Sequence, residues 1–519
     1  MTGASCQFCS LANGLLFPYL ETGRRMGRFP KRKDLSSCCM RGASVWAALT
    51  VPIAAFYGQY FRKHCLLGNI LYFCPDLGKS EDMKIRLDLH TFLFLSVLFL
   101  SGAFRGQTLA AKEWMPRADS SGVYLPSDSL FARFLQSRDI PVTRYNKMTL
   151  LTSGRTKFTH LFRDIRKAQK SIHLEYFNFR NDSIAKELFT LLAEKAKEGV
   201  EVRAMFDDFG NLSNSRPLRK EHLKMLNDRG IEIIRFDPIR FPYVNHIFCR
   251  DHQKIVVIDG RTGYTGGMNI ADYYINGLPE IGAWRDMHLR IEGPAAEQLQ
   301  KAFLNVWNEE SEQQVEGEEY FPYVSGDVMP DTMLPRLGNQ VAIVQRVPKV
   351  SPDIMRKAYI TALDVAERKV QIINPYFTPT RSVRKAIKRA AKRGVRVEIM
   401  IPGKSDIPFT PDAGFYIANK LRKAGAHIYV FNGGFHHSKV MMVDDRFCTV
   451  GSTNLNSRSL RCDYEINAFI FDLPVTAELG EVFKADKQNC TVMTRDEYRK
   501  RGAWKRFVGW FAHLFTPFL

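Results

Sequence analysis

Two histidines and two lysines, spaced alike in two distant stretches, are the residues of this chain best suited to chemistry. Residues 252–269 read HQKIVVIDGRTGYTGGMN and residues 437–454 read HSKVMMVDDRFCTVGSTN. His252 aligns with His437, Lys254 with Lys439, Asp259 with Asp444, Gly266 with Gly451 and Asn269 with Asn454, each pair 185 positions apart. A lone strand histidine is ordinarily a hydrogen-bonded core residue. Two in matched frames, each with Lys, Asp, a small-residue pair and Asn, call for another explanation, and phosphate chemistry supplies one. Imidazole works as nucleophile or proton carrier near neutrality, while lysines and amides hold phosphoryl oxygens. No carboxylate-rich metal cluster accompanies the motifs, so the reaction is expected to need neither metal nor cofactor.

Each motif must be held by a particular element. His and Lys are two apart in an apolar run, so strand alternation puts both on one face. The flanking IVVI and VMMV residues mark a buried central strand. Asp259 and Asp444 fall at the strand ends beside turn residues and are grouped with the catalytic residues, as orienting, charge-balancing groups rather than acids that touch substrate. Upstream of the first motif, strands are expected at Ser171–Phe179, Val200–Phe206 and Ile231–Phe236, with helices at Ile184–Lys197 and Leu218–Leu226. The second half repeats the order with a strand at Lys369–Phe377, a helix at Val383–Lys392, and strands at Val395–Ile401 and Ile428–Phe431. Strand–helix–strand alternation predicts an α/β fold with a mostly parallel sheet in each half. The halves are expected at 140–310 and 336–500, joined by an acidic, solvated linker at 311–335, with an amphipathic segment at 501–519.

A chain of 519 residues is long enough for two cores. Its 45% hydrophobic and 25% charged residues are ordinary for a globular protein, whereas a net charge of +20 points to a polyanionic partner such as nucleic acid or an anionic membrane. Residues 1–82 lack sustained periodicity and hold six of the ten cysteines. Cys6-x-x-Cys9 and Cys38-Cys39 lack a following His or Cys at zinc-finger spacing. The four later cysteines (Cys249, Cys448, Cys462, Cys490) read as buried small apolar side chains. From Met83 a basic, apolar, then small order over 83–111 matches a signal peptide, with 1–82 as an extension ahead of the true start. Alternatively, uncharged residues 42–61 and the shorter 91–104 form a membrane hairpin.

The duplicated His-x-Lys-x4-Asp element with its trailing Gly-Gly/Ser-x-Asn resembles the signature of the phospholipase D superfamily, over roughly residues 140–500. That resemblance implies two pseudo-symmetric halves packed to share one active site. It assigns His252 as nucleophile and His437 as general acid and then base. Lys254, Asn269, Lys439 and Asn454 hold the phosphate. Asp286 in WRDMHLRI and Glu465 in DYEINAFI would each hydrogen-bond the histidine of the opposite half. The surrounding RDMHLRIEGPA and NLNSRSLRCDYEIN are most similar to bacterial cardiolipin synthases. The implied reaction converts two phosphatidylglycerol molecules to cardiolipin and glycerol through a phosphohistidine, at a bacterial cell membrane or after export. The implied partners are anionic phospholipid and membrane rather than nucleic acid. Two other readings remain open at this point: hydrolysis by a phospholipase D or other phosphodiesterase, and a non-catalytic membrane-surface binding module.

Overall fold

The computed structural model describes residues 124–240, 248–324, 339–407 and 410–516. The signal-peptide and hairpin expectations for residues 1–111 lie outside the described residues. No helix among the described residues is long and apolar enough to cross a membrane.

The first half carries strands β1 (Lys147–Leu151), β2 (Ser171–Tyr176), β3 (Glu201–Asp207), β4 (Glu232–Phe236), β5 (Lys254–Ile258), β6 (Thr262–Gly266), β7 (Trp284–Arg285) and β8 (His288–Glu292). Seven form one sheet in the order β1-β8-β6-β5-β2-β3-β4. The second half has β9 (Gln340–Arg346), β10 (Lys369–Ile373), β11 (Arg396–Pro402), β12 (His427–Phe431), β13 (Phe435–His436), β14 (Val440–Val443), β15 (Phe447–Gly451), β16 (Glu465–Phe471) and β17 (Cys490–Val492). Eight of these form a sheet in the order β17-β12-β11-β10-β14-β15-β16-β9.

Both sheets are mixed, which corrects the expectation of mostly parallel ones. Within these two sheets only β2–β3–β4 and β10–β11–β12 run parallel, joined by helical crossovers. The motif strands β5 and β14 pair antiparallel with β2 and β10, and a tight turn joins each to the next antiparallel strand. Turns as short as Asp259–Arg261 and Asp444–Arg446 connect antiparallel neighbours only, and Asp259-Gly260 and Asp444-Asp445 supply the positive φ these turns need.

Alternation along the motif strands sorts their side chains between two cores. Ile255 and Val257 join Val440 and Met442 in a cluster shared by the halves. Val256 and Ile258 face the outer helices of the first half, as Met441 and Val443 do in the second. The main helices are α1 (Ser127–Gln136), α2 (Gly154–Arg166), α3 (Ser183–Lys197), α4 (Ala295–Ser311), α5 (Ile354–Val365), α6 (Arg381–Lys392), α7 (Thr410–Arg422), α8 (Leu473–Lys487) and α9 (Gly502–Ala512).

Three further features differ from expectation. Residues before 140 are already part of the fold: Phe131 of α1 stacks on Phe447 at 4.9 Å in the second half. The acidic stretch is not wholly solvated: residues 309–311 close α4, and Val315 and Tyr320 are buried. Of the four later cysteines only Cys448 is buried, while Cys249 is exposed and Cys462 and Cys490 are half-buried.

Candidate active site

Short backbone pairings between the halves build the site. The His252 N–H donates to the Tyr464 carbonyl at 3.1 Å, within a parallel bridge between Asp251 and Tyr464. In the mirror position the His437 N–H donates to the Arg285 carbonyl at 2.7 Å, next to the parallel pair β7–β13. Each histidine therefore pairs with the residue just before the other half's acid. The acids complete the pattern. Glu465 Oε1 lies 3.1 Å from His252 Nδ1, and Asp286 Oδ2 lies 2.7 Å from His437 Nδ1.

His252 and Lys254 do not share a strand, contrary to expectation: β5 starts at Lys254 and β14 at Val440. The histidines precede their strands because their backbone is paired across the interface instead. Each lysine turns back on its histidine. Lys254 Nζ donates to the His252 carbonyl at 2.6 Å; Lys439 Nζ reaches the His437 carbonyl and lies 2.9 Å from its Nε2. Asn269 and Asn454 are buried beyond the motif strands, each with one side-chain polar atom lacking a protein partner.

Burial dominates the electrostatics. It pushes both imidazoles well below their ordinary pKa, and Lys254 and Lys439 lower His252 further. For His437 the contributors after burial are Lys439 and then His252 itself, so the two imidazoles sit in one field. Burial also lowers Lys254 to about 8 and Lys439 to about 7, and raises Asp286 to about 6 and Glu465 to about 7. A pocket holding two lysines and two histidines with pKa values depressed in this way gains most from an anion between them.

Asp259 and Asp444, grouped with the catalytic residues at the sequence level, stand apart from this pocket at the far ends of β5 and β14. Asp259 accepts backbone N–H groups from Gln169, Lys170 and Ser171 at 2.7–3.0 Å. Asp444 accepts those of Glu367, Arg368 and Lys369 at 2.7–2.9 Å. Both are left-handed, at φ 53° and 54°. Each ties the turn after a motif strand to the start of the neighbouring β2 or β10. They position the strand and do not reach the pocket.

Several pocket residues were not legible in the motif. Trp284, Phe435 and Tyr376 ring His437 with centroids 5.4–5.8 Å away, whereas among the described residues Phe177 alone stands so close to His252, at 5.2 Å. His437 is accordingly the more enclosed side chain, 7% exposed against 14% for His252. Beneath the site, Arg250 bridges Asp207 at 2.9 Å and Asp237 at 2.8 Å. Arg250 and Phe435 lie just before the motif histidines and Trp284 beside Asp286, whereas for Phe177 and Tyr376, far from the motifs in the chain, the signal was the Tyr-Phe repeated at 176–177 and 376–377.

A family model described as cardiolipin synthase, PLD-like domain, matches residues 161–307 and again 359–487. The chain belongs to the cardiolipin synthase family. Its resemblance to other members of that family extends well past the motifs. The chain is 37% identical over 378 residues to the major cardiolipin synthase of Bacillus subtilis, covering 73% of this chain and 76% of that one. It is 35% identical over 481 residues to a cardiolipin synthase of Staphylococcus aureus, covering 92% and 91%. The family's fold is also seen in a phosphatidylserine synthase crystal structure from Haemophilus influenzae, with a TM-score of 0.56 at 17% identity, covering 75% of this chain and all of that one. Like other cardiolipin synthase family members, the chain is an enzyme of the phospholipase D superfamily with a duplicated domain.

Proposed function

We propose that this enzyme moves a phosphatidyl group from one phosphatidylglycerol to the glycerol hydroxyl of a second, releasing glycerol. His252 Nδ1 is engaged by Glu465, which leaves Nε2 to attack phosphorus. As the phosphorus–oxygen bond to glycerol breaks, His437 gives its proton to the leaving alkoxide. The second phosphatidylglycerol then enters, His437 takes the proton from its hydroxyl, and the new alkoxide displaces His252 to yield cardiolipin. Splitting the reaction this way replaces one difficult displacement with two easier ones. A positioned acid contributes about 10²–10⁴-fold. Lys254, Lys439, Asn269 and Asn454 would hold the phosphoryl oxygens, and the closer enclosure of His437 and the more open His252 suit these two roles.

The observation that carries the reading is the reciprocal pairing of each histidine with the acid of the opposite half. The membrane is the natural place of work for such an enzyme, since both substrates are lipids. The test is to incubate the purified protein with phosphatidylglycerol in detergent and resolve products by mass. Cardiolipin with glycerol is expected. Phosphatidic acid alone would make it a hydrolase, a matter of how water is kept from the intermediate.

A further inference from the structure

The C-terminal helix α9 has one face packed and one face bare. Arg501, just before it, pairs with Asp412 and lies 3.6 Å over the Phe415 ring of α7. Gly509 sits against the Asp412 backbone so closely that a Cβ there would meet its carbonyl. Just past the helix, His513 stacks near Tyr416 of α7, with ring centroids 4.4 Å apart. The helix is therefore docked in one orientation, with Gly509 and Ala512 turned inward.

The outward face is apolar. Trp504 is 72% exposed, and Phe507, Trp510, Phe511, Leu514 and Phe515 are 43–50% exposed. The aromatic rings form a continuous row, Trp504–Phe507 at 5.7 Å, Phe507–Phe511 at 6.4 Å and Phe511–Phe515 at 5.2 Å. A soluble surface scatters such residues singly; a contiguous row marks a docking face.

Charge identifies what docks. Helix α6, RSVRKAIKRAAK, carries six cations and no acid. Arg389 pairs with Asp364, but Arg381, Arg384, Lys385, Lys388 and Lys392 have no carboxylate partner among the described residues. Helix α7 packs against both α6 and α9 and so brings the basic helix beside the aromatic row; after burial, the charges of Lys420 on α7 and Arg384 on α6 both depress His513. Lys505 and Arg506 add two more cations within α9. Aromatic rings bordered by unpaired cations are the chemistry that sits in the headgroup layer of an anionic bilayer.

We propose that α9 and α6 together form one face that docks the enzyme on an anionic phospholipid bilayer. The proposal rests on the reading that the substrate is an anionic phospholipid, and it adds a particular surface and a bilayer orientation. Rings of α9 enter the interface while α6 lies over the headgroups.

The full chain, added to vesicles containing lipids brominated near the headgroup, gives a readout local to this face. Quenching of tryptophan is expected to be greater with brominated phosphatidylglycerol than with brominated phosphatidylcholine. The double variant Trp504→Phe with Trp510→Phe keeps the apolar face and is expected to lose a clear share of that quenching. The triple variant Arg384→Gln, Lys385→Gln, Lys388→Gln is expected to lose the preference for phosphatidylglycerol. Equal quenching in the parent and the tryptophan variant overturns the proposal, and would mean that a second copy or residues 1–123 of this chain cover the row. Cardiolipin formation in detergent is read separately. Neither variant should alter it, and its absence alongside normal quenching would remove the reaction while supporting the surface.

Discussion

Glu465 and His252 are 213 residues apart in the chain, yet their Oε1 and Nδ1 atoms lie 3.1 Å apart. Asp286 and His437 repeat the relationship in the opposite sense at 2.7 Å. Each motif histidine takes its acid from the opposite half. The active unit is the pair of halves.

The two histidines should separate by labelling. With substrate labelled at phosphorus, His252→Ala is expected to form no covalent intermediate. His437→Ala should turn over slowly while still accumulating label when the leaving group needs little protonation. Undiminished label on His252→Ala would reverse the assignment.

Asp286→Asn and Glu465→Gln keep shape and remove charge. Each is expected to lower kcat by roughly 10²-fold or more with little change in KM, because the imidazole loses its oriented tautomer. Steady-state kinetics in mixed micelles would measure both. A change confined to KM would place these acids at substrate binding instead.

The small-residue position of each motif should tune its acid. In the second half, Ser452 Oγ donates to Glu465 and also accepts the Ile466 N–H at 2.9 Å. That donation opposes the upward push of burial on Glu465. Ser452→Ala should therefore raise the Glu465 pKa above its present value of about 7, moving the acid limb of the rate profile to higher pH. In the first half, a Cβ on Gly267 would collide with Asp286 Oδ1. Gly267→Ala is accordingly expected to resemble Asp286→Asn in kcat. A pH profile unmoved by Ser452→Ala would break the link between this hydroxyl and the reaction.

Asp259→Ala and Asp444→Ala should damage stability rather than chemistry. Each loses hydrogen bonds from three backbone N–H groups to a carboxylate. A cost of about 2–4 kcal/mol is expected, read as a lower denaturation midpoint. The kcat per folded molecule should stay within a few-fold of the parent. Loss of kcat in a variant with an unchanged midpoint would return these aspartates to the catalytic group.

Anion binding should depend on pH through the lysines. Burial holds Lys439 at about 7 and Lys254 at about 8, so each is charged below its own value and loses that charge as pH rises past it. A bound anion favours the charged forms and raises both pKa values. By linkage, sulfate affinity is expected to be greatest below pH 7 and to fall as pH rises through 7 and 8. Calorimetric titration across pH 6–9 would show proton uptake on binding, and a flat profile would contradict it.

The chain's sequence alone determined the duplication, the pair of α/β halves and the identities of His252, Lys254, His437 and Lys439. Repeated spacing survives in a linear string, and strand and helix periods are local properties. It misled on sheet direction, because hydrophobic runs show burial on both faces without showing which way a neighbour runs. It also drew Asp259 and Asp444 toward the chemistry, since motif distance along a strand conceals that its two ends lie far apart.

Only the tertiary structure decided which groups meet. The crossed pairs His252–Glu465 and His437–Asp286, the aromatic enclosure of His437 and the bare face of α9 all depend on how the elements pack. The physical reason is range. Periodicity is set by backbone geometry within a few residues, whereas the separation of two side chains 213 positions apart is set by the shared hydrophobic core between the sheets.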